Sequence, residues 1–195
     1  MTDERKTLGV LVVSSGTKAS DFFKSILPEK QYSPLLFAPS CSEAKRMLIE
    51  TGFDIVIINT PLCDEFGVQF AIETANSTDS GVMIFVKSEL YEQVAFKTEE
   101  FGIFTLSRPT NKQTVFEALR MLTASRSRYM ALREKSNTLE QKMLDIRLVN
   151  RAKALLLQNE KMTEQQAHRY IEKAAMDLCV KKTVIAQNII EKYGD

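Results

Sequence analysis

Asp54-Ile55-Val56-Ile57-Ile58, running into Asn59-Thr60-Pro61, is the stretch on which the fold turns. Four branched apolar residues in succession suit a strand buried on both faces, because alternate side chains of a strand point to opposite sides. The same kind of run recurs at Leu8 to Val13 and at Val82-Met83-Ile84-Phe85-Val86. A shorter one, Ile103-Phe104-Thr105-Leu106, leads to Arg108-Pro109, and Tyr32 to Ala38 supplies one strand more. Helical patterns lie between them. Ala19 to Leu27 places Phe22, Phe23, Ile26 and Leu27 on one face, and Cys41 to Thr51 runs up to Gly52. Gln69 to Ala75, Tyr91 to Glu100 and Lys112 to Leu122 complete the alternation. Five βα units in roughly 120 residues predict a flavodoxin-like doubly wound α/β domain, with any ligand at the carboxyl ends of its strands.

Those strand ends carry Ser14 and Ser15, Asn59, Val86 and Arg108. The framework resembles a response-regulator receiver domain: two polar residues end the first strand, an Asn-Thr-Pro turn follows the third, and a basic residue precedes Pro109. The resemblance implies a carboxylate pair to hold Mg²⁺, an Asp to accept phosphate, a hydroxyl and a Lys. This chain has Ser14 and Ser15, Asn59, Val86 and Arg108 in those places, and Thr105 at the usual aromatic switch. Asparagine forms no acyl phosphate, and serine hydroxyls bring no charge to a hard dication that favours carboxylate oxygen. Arg108 keeps the positive charge, but as a wide fork rather than a compact ammonium. Asp64 and Glu65 read as solvated loop carboxylates. The expectation is a pseudo-receiver that takes no phosphate, metal or cofactor. Its pocket is either a vestigial scaffold or a site for a small anion or a regulatory protein partner.

From Lys112 to about Asn159 there is no Gly or Pro, so nothing ends a helix. Leu122, Ser125, Tyr129, Leu132, Ser136, Leu139, Met143 and Ile146 follow steps of three and four, a heptad seam of about four repeats. The expectation is a coiled-coil connector that makes a homodimer. A helix packed on the chain's own domains is the competing reading.

Beyond it, Arg151-Ala152-Lys153-Ala154-Leu155-Leu156-Leu157 is followed by Met162-Thr163-Glu164-Gln165-Gln166-Ala167. Thr163 with Gln166 is a capping-box pattern that starts a second helix. Ala167, Tyr170, Ile171, Ala174 and Ala175 give it an apolar stripe. Lys181-Lys182-Thr183 opens a third helix with Val184, Ile185, Ile189 and Ile190 inward, and Gly194 ends it. The Ala-Lys pair, the Glu and Ala of the second helix, and Ala175-Met176 resemble the ANTAR module, the RNA-binding three-helix domain of bacterial transcription antiterminators. The pattern departs at Ala154, where a Gly is usual, and at Gln158-Asn159, where a basic residue is frequent.

The resemblance implies binding to paired RNA hairpins in mRNA leaders, which keeps a terminator from forming. The expected contacts are Arg151, Lys153, His168, Arg169, Lys173, Lys181 and Lys182. Arg169 and Lys173 stand four apart and share a helix face. Lys181 and Lys182 sit where free backbone N–H groups also attract phosphate. His168 and Tyr170 are candidates to stack on loop bases, with Tyr170 assigned more readily to the core.

Composition agrees with these bounds. The 195 residues are 44% hydrophobic and 26% charged, ordinary for a soluble globular protein. Residues 125–195 hold 14 Lys and Arg against 9 Asp and Glu, whereas residues 1–124 hold 12 against 16. A basic tail behind an acidic head suits an oligonucleotide-binding output domain. No apolar run approaches the roughly 18 residues of a membrane helix, and Met1 to Lys6 leads into no signal-peptide core. Cys41, Cys63 and Cys179 have no metal spacing and read as reduced packing residues of a cytoplasmic protein. With one His and neither a carboxylate dyad nor a phosphate-cradling Gly loop, an enzyme is the weakest reading. A DNA-binding regulator ranks above it, and a dimeric protein-interaction module without RNA binding is the principal alternative. The expected division is 1–124 receiver-like, 125–147 connector and 148–195 RNA-binding.

Overall fold

In the computed structural model, which describes residues 7–194, the apolar runs form one parallel sheet. The reading of Met1 to Lys6 lies outside the described residues. The strands are β1 (Leu8–Ser14), β2 (Tyr32–Ala38), β3 (Ile55–Asn59), β4 (Gly81–Lys87) and β5 (Phe104–Arg108). Their order is β2-β1-β3-β4-β5, the doubly wound arrangement expected. The connecting helices are α1 (Thr17–Ile26), α2 (Cys41–Glu50), α3 (Val68–Ser77) and α4 (Tyr91–Thr98). One helix, α5 (Lys112–Glu160), follows the sheet, and α6 (Glu164–Asp177) and α7 (Lys182–Tyr193) close the chain. The chain divides into two compact units, residues 1–130 and 131–195.

In the first unit the three inner strands bury both faces. Val10 to Val13, Ile55 to Ile58 and Val82 to Val86 are all 2% exposed or less. Alternation sends Leu11, Val56, Ile58 and Ile84 against Phe70 and Ala71 of α3 and Ala44 of α2. It sends Val10, Val12, Ile57 and Phe85 the other way, against Phe23 of α1 and Leu119 and Leu122 of α5. Each such side chain withdrawn from water contributes about 1.5–3 kcal/mol. The outer strands are less covered, and β2 accommodates Pro34, which a central strand would not. Asp54, expected inside the third strand, lies just before it. Its Oδ2 accepts from Gly9 N–H at 2.8 Å, and its Oδ1 stands 2.7 Å from Arg126.

Leu122 corrects the seam. It is buried in the α/β core, where the missing side chain of Gly81 makes room for it; a Cβ there would sit 3.0 Å from Leu122 Cδ1. Tyr129, Leu132, Leu139, Met143 and Ile146 are each more than half exposed. Every residue from 131 to 144 is open to solvent within one chain.

The second unit has a smaller core, with Ala152 and Leu156 of α5, Ala167, Ile171 and Ala175 of α6, and Ile185, Ala186 and Ile189 of α7. The capping box forms: Gln166 N–H donates to Thr163 Oγ1 at 3.3 Å, and Thr163 N–H donates to Gln166 Oε1 at 2.8 Å. Two inward assignments fail. Val184 is 45% exposed and Tyr170 is 48% exposed. Each lies one position before a buried residue, about 100° round the helix from the buried stripe. The cysteine reading fails in part as well. Cys41 is buried, but Cys63 in the loop after β3 and Cys179 between α6 and α7 are exposed. Lys161 and Cys179, with φ of 54° and 52°, turn the chain between helices in the left-handed region usually left to Gly.

Candidate nucleic-acid interface

Charge at the strand ends of the first unit is set by short polar links. Asn59 Nδ2 donates to Ser14 Oγ at 3.0 Å, joining the ends of β3 and β1. Ser15 Oγ donates to the Pro39 carbonyl at 3.1 Å, so it faces the β2–α2 turn instead. Arg108 donates from Nη2 to the Thr60 carbonyl, reaching from β5 to the turn after Asn59. Its Nε is buried without a hydrogen-bond partner among the described residues, and burial lowers the guanidinium's proton affinity. Val86 is wholly buried with the α3-side core and offers the edge no hydroxyl. Thr105 Oγ1 lies 2.8 Å from the hydroxyl of buried Thr98, which ties β5 to α4. The edge thus gathers Ser14, Asn59 and Arg108 but leaves Ser15 and Val86 otherwise engaged.

Asp64 is not a plain solvated loop carboxylate. It accepts from Cys41 N–H at 3.0 Å and from Ser42 N–H and Oγ at 2.9 Å. These bonds cap the start of α2, and the backbone donors hold its carboxyl down to about 2. A contact 22 residues away in sequence gave no local signal. Among the described residues no cluster of His, Cys, Asp or Glu is arranged to hold a metal ion.

In the second unit the expected cations separate onto two grooves. Lys153, His168, Lys181 and Lys182 line one of about 880 Å³, whose floor includes Ile146, Val149 and Ala175. Arg169 and Lys173 line another of about 530 Å³, together with Lys161 and Tyr170. Arg151, exposed on α5, lines neither. The first groove is tied up by acids. Lys153 Nζ stands 3.4 Å from Glu164 Oε1. Glu172 Oε1 receives Lys182 Nζ and lies 3.3 Å from His168 Nε2. The Lys182 hydrogen bond, then the His168 charge, hold the Glu172 carboxyl below its usual range.

Lys161 and Glu172 were missed in the sequence. Lys161 stands two residues before the capping Thr163, a basic residue ahead of the second helix that Gln158-Asn159 lacked. Glu172 is four residues past His168, so helical spacing already placed the two side by side.

Residues 137–190 match the ANTAR domain family, a match that starts within the segment read as connector. Over 141 residues the chain is 24% identical to "Transcriptional regulatory protein PdtaR" of Mycobacterium tuberculosis, covering 72% of this chain and 69% of that one. The signal receiver domain of an HD domain-containing protein from Pseudomonas fluorescens Pf-5 superposes with a TM-score of 0.59 at 19% identity. That alignment covers 67% of this chain and 97% of the receiver. A response regulator receiver domain protein from Clostridium thermocellum gives 0.55 at 19% identity, over 62% and 97% of the two chains. No helix among the described residues is long and apolar enough to cross a membrane. A parallel sheet of receiver type thus precedes a segment, residues 137–190, that matches the ANTAR domain family.

Proposed function

We propose that the protein is a transcription antitermination regulator that binds paired RNA hairpins through its helical tail, as a homodimer, without phosphorylation. The observation that carries this is the groove of Lys161, Arg169, Tyr170 and Lys173. No ion pair engages its three cations among the described residues, and the Tyr170 ring is half exposed beside them. Cations outnumbering the one lining carboxylate, Glu160, next to an exposed aromatic ring match the needs of RNA: charge for phosphates and a flat apolar face for unpaired bases. Lys153, Lys181, Lys182 and His168 form a second contact set on the neighbouring groove, with Arg151 at the margin.

The connector at 125–147 would join two copies, since Leu132, Leu139 and Met143 are each more than half exposed at heptad spacing. Two linked tails then engage two hairpins, the second contact becoming intramolecular. At the sheet edge, an amide, two hydroxyls, a valine and a guanidinium replace the groups that would hold Mg²⁺ and accept phosphate. On this reading control comes from abundance, a ligand or a protein partner. Apolar exposure at Met176 and Ile146 favours the second reading, a dimeric module that docks a protein through the tail.

The test is binding of the full chain to an RNA with two adjacent small hairpins. Arg169→Ala with Lys173→Ala should weaken it about tenfold or more and make the log–log salt dependence shallower by about two. Acetyl phosphate with Mg²⁺ should change neither the intact mass nor the affinity. Failure to select any RNA from host transcripts, with a protein partner retained through the tail, would hand the function to the second reading.

A further inference from the structure

The two grooves of the tail differ in one respect that their cation content does not explain. In the Lys161, Arg169 and Lys173 groove the lining carboxylate, Glu160, accepts from the Tyr193 hydroxyl and no ion pair engages the three cations among the described residues, whereas Lys153 meets Glu164 and Lys182 meets Glu172. Glu172 is the centre of that arrangement. A single oxygen, Oε1, meets both the ammonium of Lys182 at the start of α7 and the imidazole of His168 one turn earlier on α6. The three side chains are 40–51% exposed, so the cluster is not a buried structural tie. Exposed pairs of this kind add little to folding, because water screens them and long side chains lose freedom in making them.

The chemistry of the cluster is that of an occupied oxyanion site. α7 opens at Lys182 with no side-chain cap, so its first N–H groups are also without a side-chain acceptor. A carboxylate oxygen and a phosphate oxygen want the same donors, and a phosphodiester carries a full charge to the same place. We infer that Glu172 is an internal competitor for phosphate: its carboxylate holds Lys182 and His168 until an RNA phosphate displaces it, and so limits the affinity of this groove. Its consequence for RNA rests on the RNA-binding reading of the tail; the competition with phosphate does not.

Two arms on the full-length protein separate these. In the first, inorganic phosphate is titrated while the backbone amides of Lys182 and Thr183 are followed by NMR. Glu172→Gln, which keeps shape and helix propensity but removes the charge, should bind phosphate there about two- to fivefold more tightly than the wild type. Adding Lys182→Ala should abolish the gain, as expected when two groups act through one another. An unchanged response in Glu172→Gln overturns the inference. In the second arm, Glu172→Gln should bind the tandem-hairpin RNA more tightly and with a steeper salt dependence, by about one unit of slope. Wild-type RNA binding that is unchanged or weakened in Glu172→Gln sinks the competitor and leaves the RNA reading intact. Phosphate gain without RNA binding by either protein does the reverse.

Discussion

The two units use their residues in opposite ways. The α/β unit invests in its interior: sixteen buried residues pack one face of the sheet and fourteen the other. The ends of β1, β3 and β5 carry Ser14, Asn59 and Arg108, none of them a carboxylate. The helical unit has only eight buried residues in its core, and its distinguishing groups are surface cations and the acids that meet them. A fold held by central strands tolerates exchange at Asn59 and Arg108, because neither belongs to the buried core, whereas Val86 does. A small bundle lacks that reserve, so its fold depends on each of those few side chains.

The sharpest test of this contrast is loss of one core side chain from the bundle. Leu156→Ala removes a side chain 2% exposed and should cost about 2–5 kcal/mol. Such a loss is large against the stability of a small domain. Thermal melts should show the tail's transition shifted far down or missing while the α/β transition stays put. A single common shift would mean that the units unfold together and would break the comparison.

A smaller change is expected in the stretch that neither core claims. Leu132→Asp with Leu139→Asp places charges on the exposed seam and should convert a dimer to a monomer while leaving both folds intact. Light scattering at micromolar concentration checks this. A wild type that is already monomeric would remove the connector from the dimer model.

The smallest effect concerns Asp64, whose folded carboxyl is held down to about 2 by backbone donors. A depressed acid stabilises the folded state above its unfolded value of 3.8 and loses that contribution as pH falls toward 2. Asp64→Asn should therefore be less stable at neutral pH and show a flatter stability profile between about pH 4 and 2. Melting of the α/β unit across that window measures it, and parallel profiles for mutant and wild type would show that the cap carries no linkage.

Much of this was legible along the chain. The unbroken runs at Leu8, Ile55 and Val82 marked the inner strands, and the absence of Gly and Pro from Lys112 onward marked the long helix. The pairing of Thr163 with Gln166 marked the start of α6. These signals are local, a matter of periodicity and of backbone hydrogen bonding within a few residues. Facing was harder to read. Tyr170 and Val184 lay on the margins of broad apolar stripes, and a rotation of one residue turns such a side chain outward.

Residue identity and spacing alone carried the α/β order, the uninterrupted helix, the capping box that starts α6 and the lack of a carboxylate at Ser14, Ser15, Asn59, Val86 and Arg108. Each of these is written in residue identity or in spacing within one element. Tertiary structure alone decided that Leu122 belongs to the sheet's core, that Asp64 caps a helix begun 23 residues earlier, and that the tail's cations divide between two grooves. It also decided which of those cations meet an acid, Lys182 finding Glu172 across ten residues while Lys173, the very next residue, lines the other groove. The physical reason is that charge acts through space over a few ångströms, and only the packing of α5, α6 and α7 sets which charges come that close.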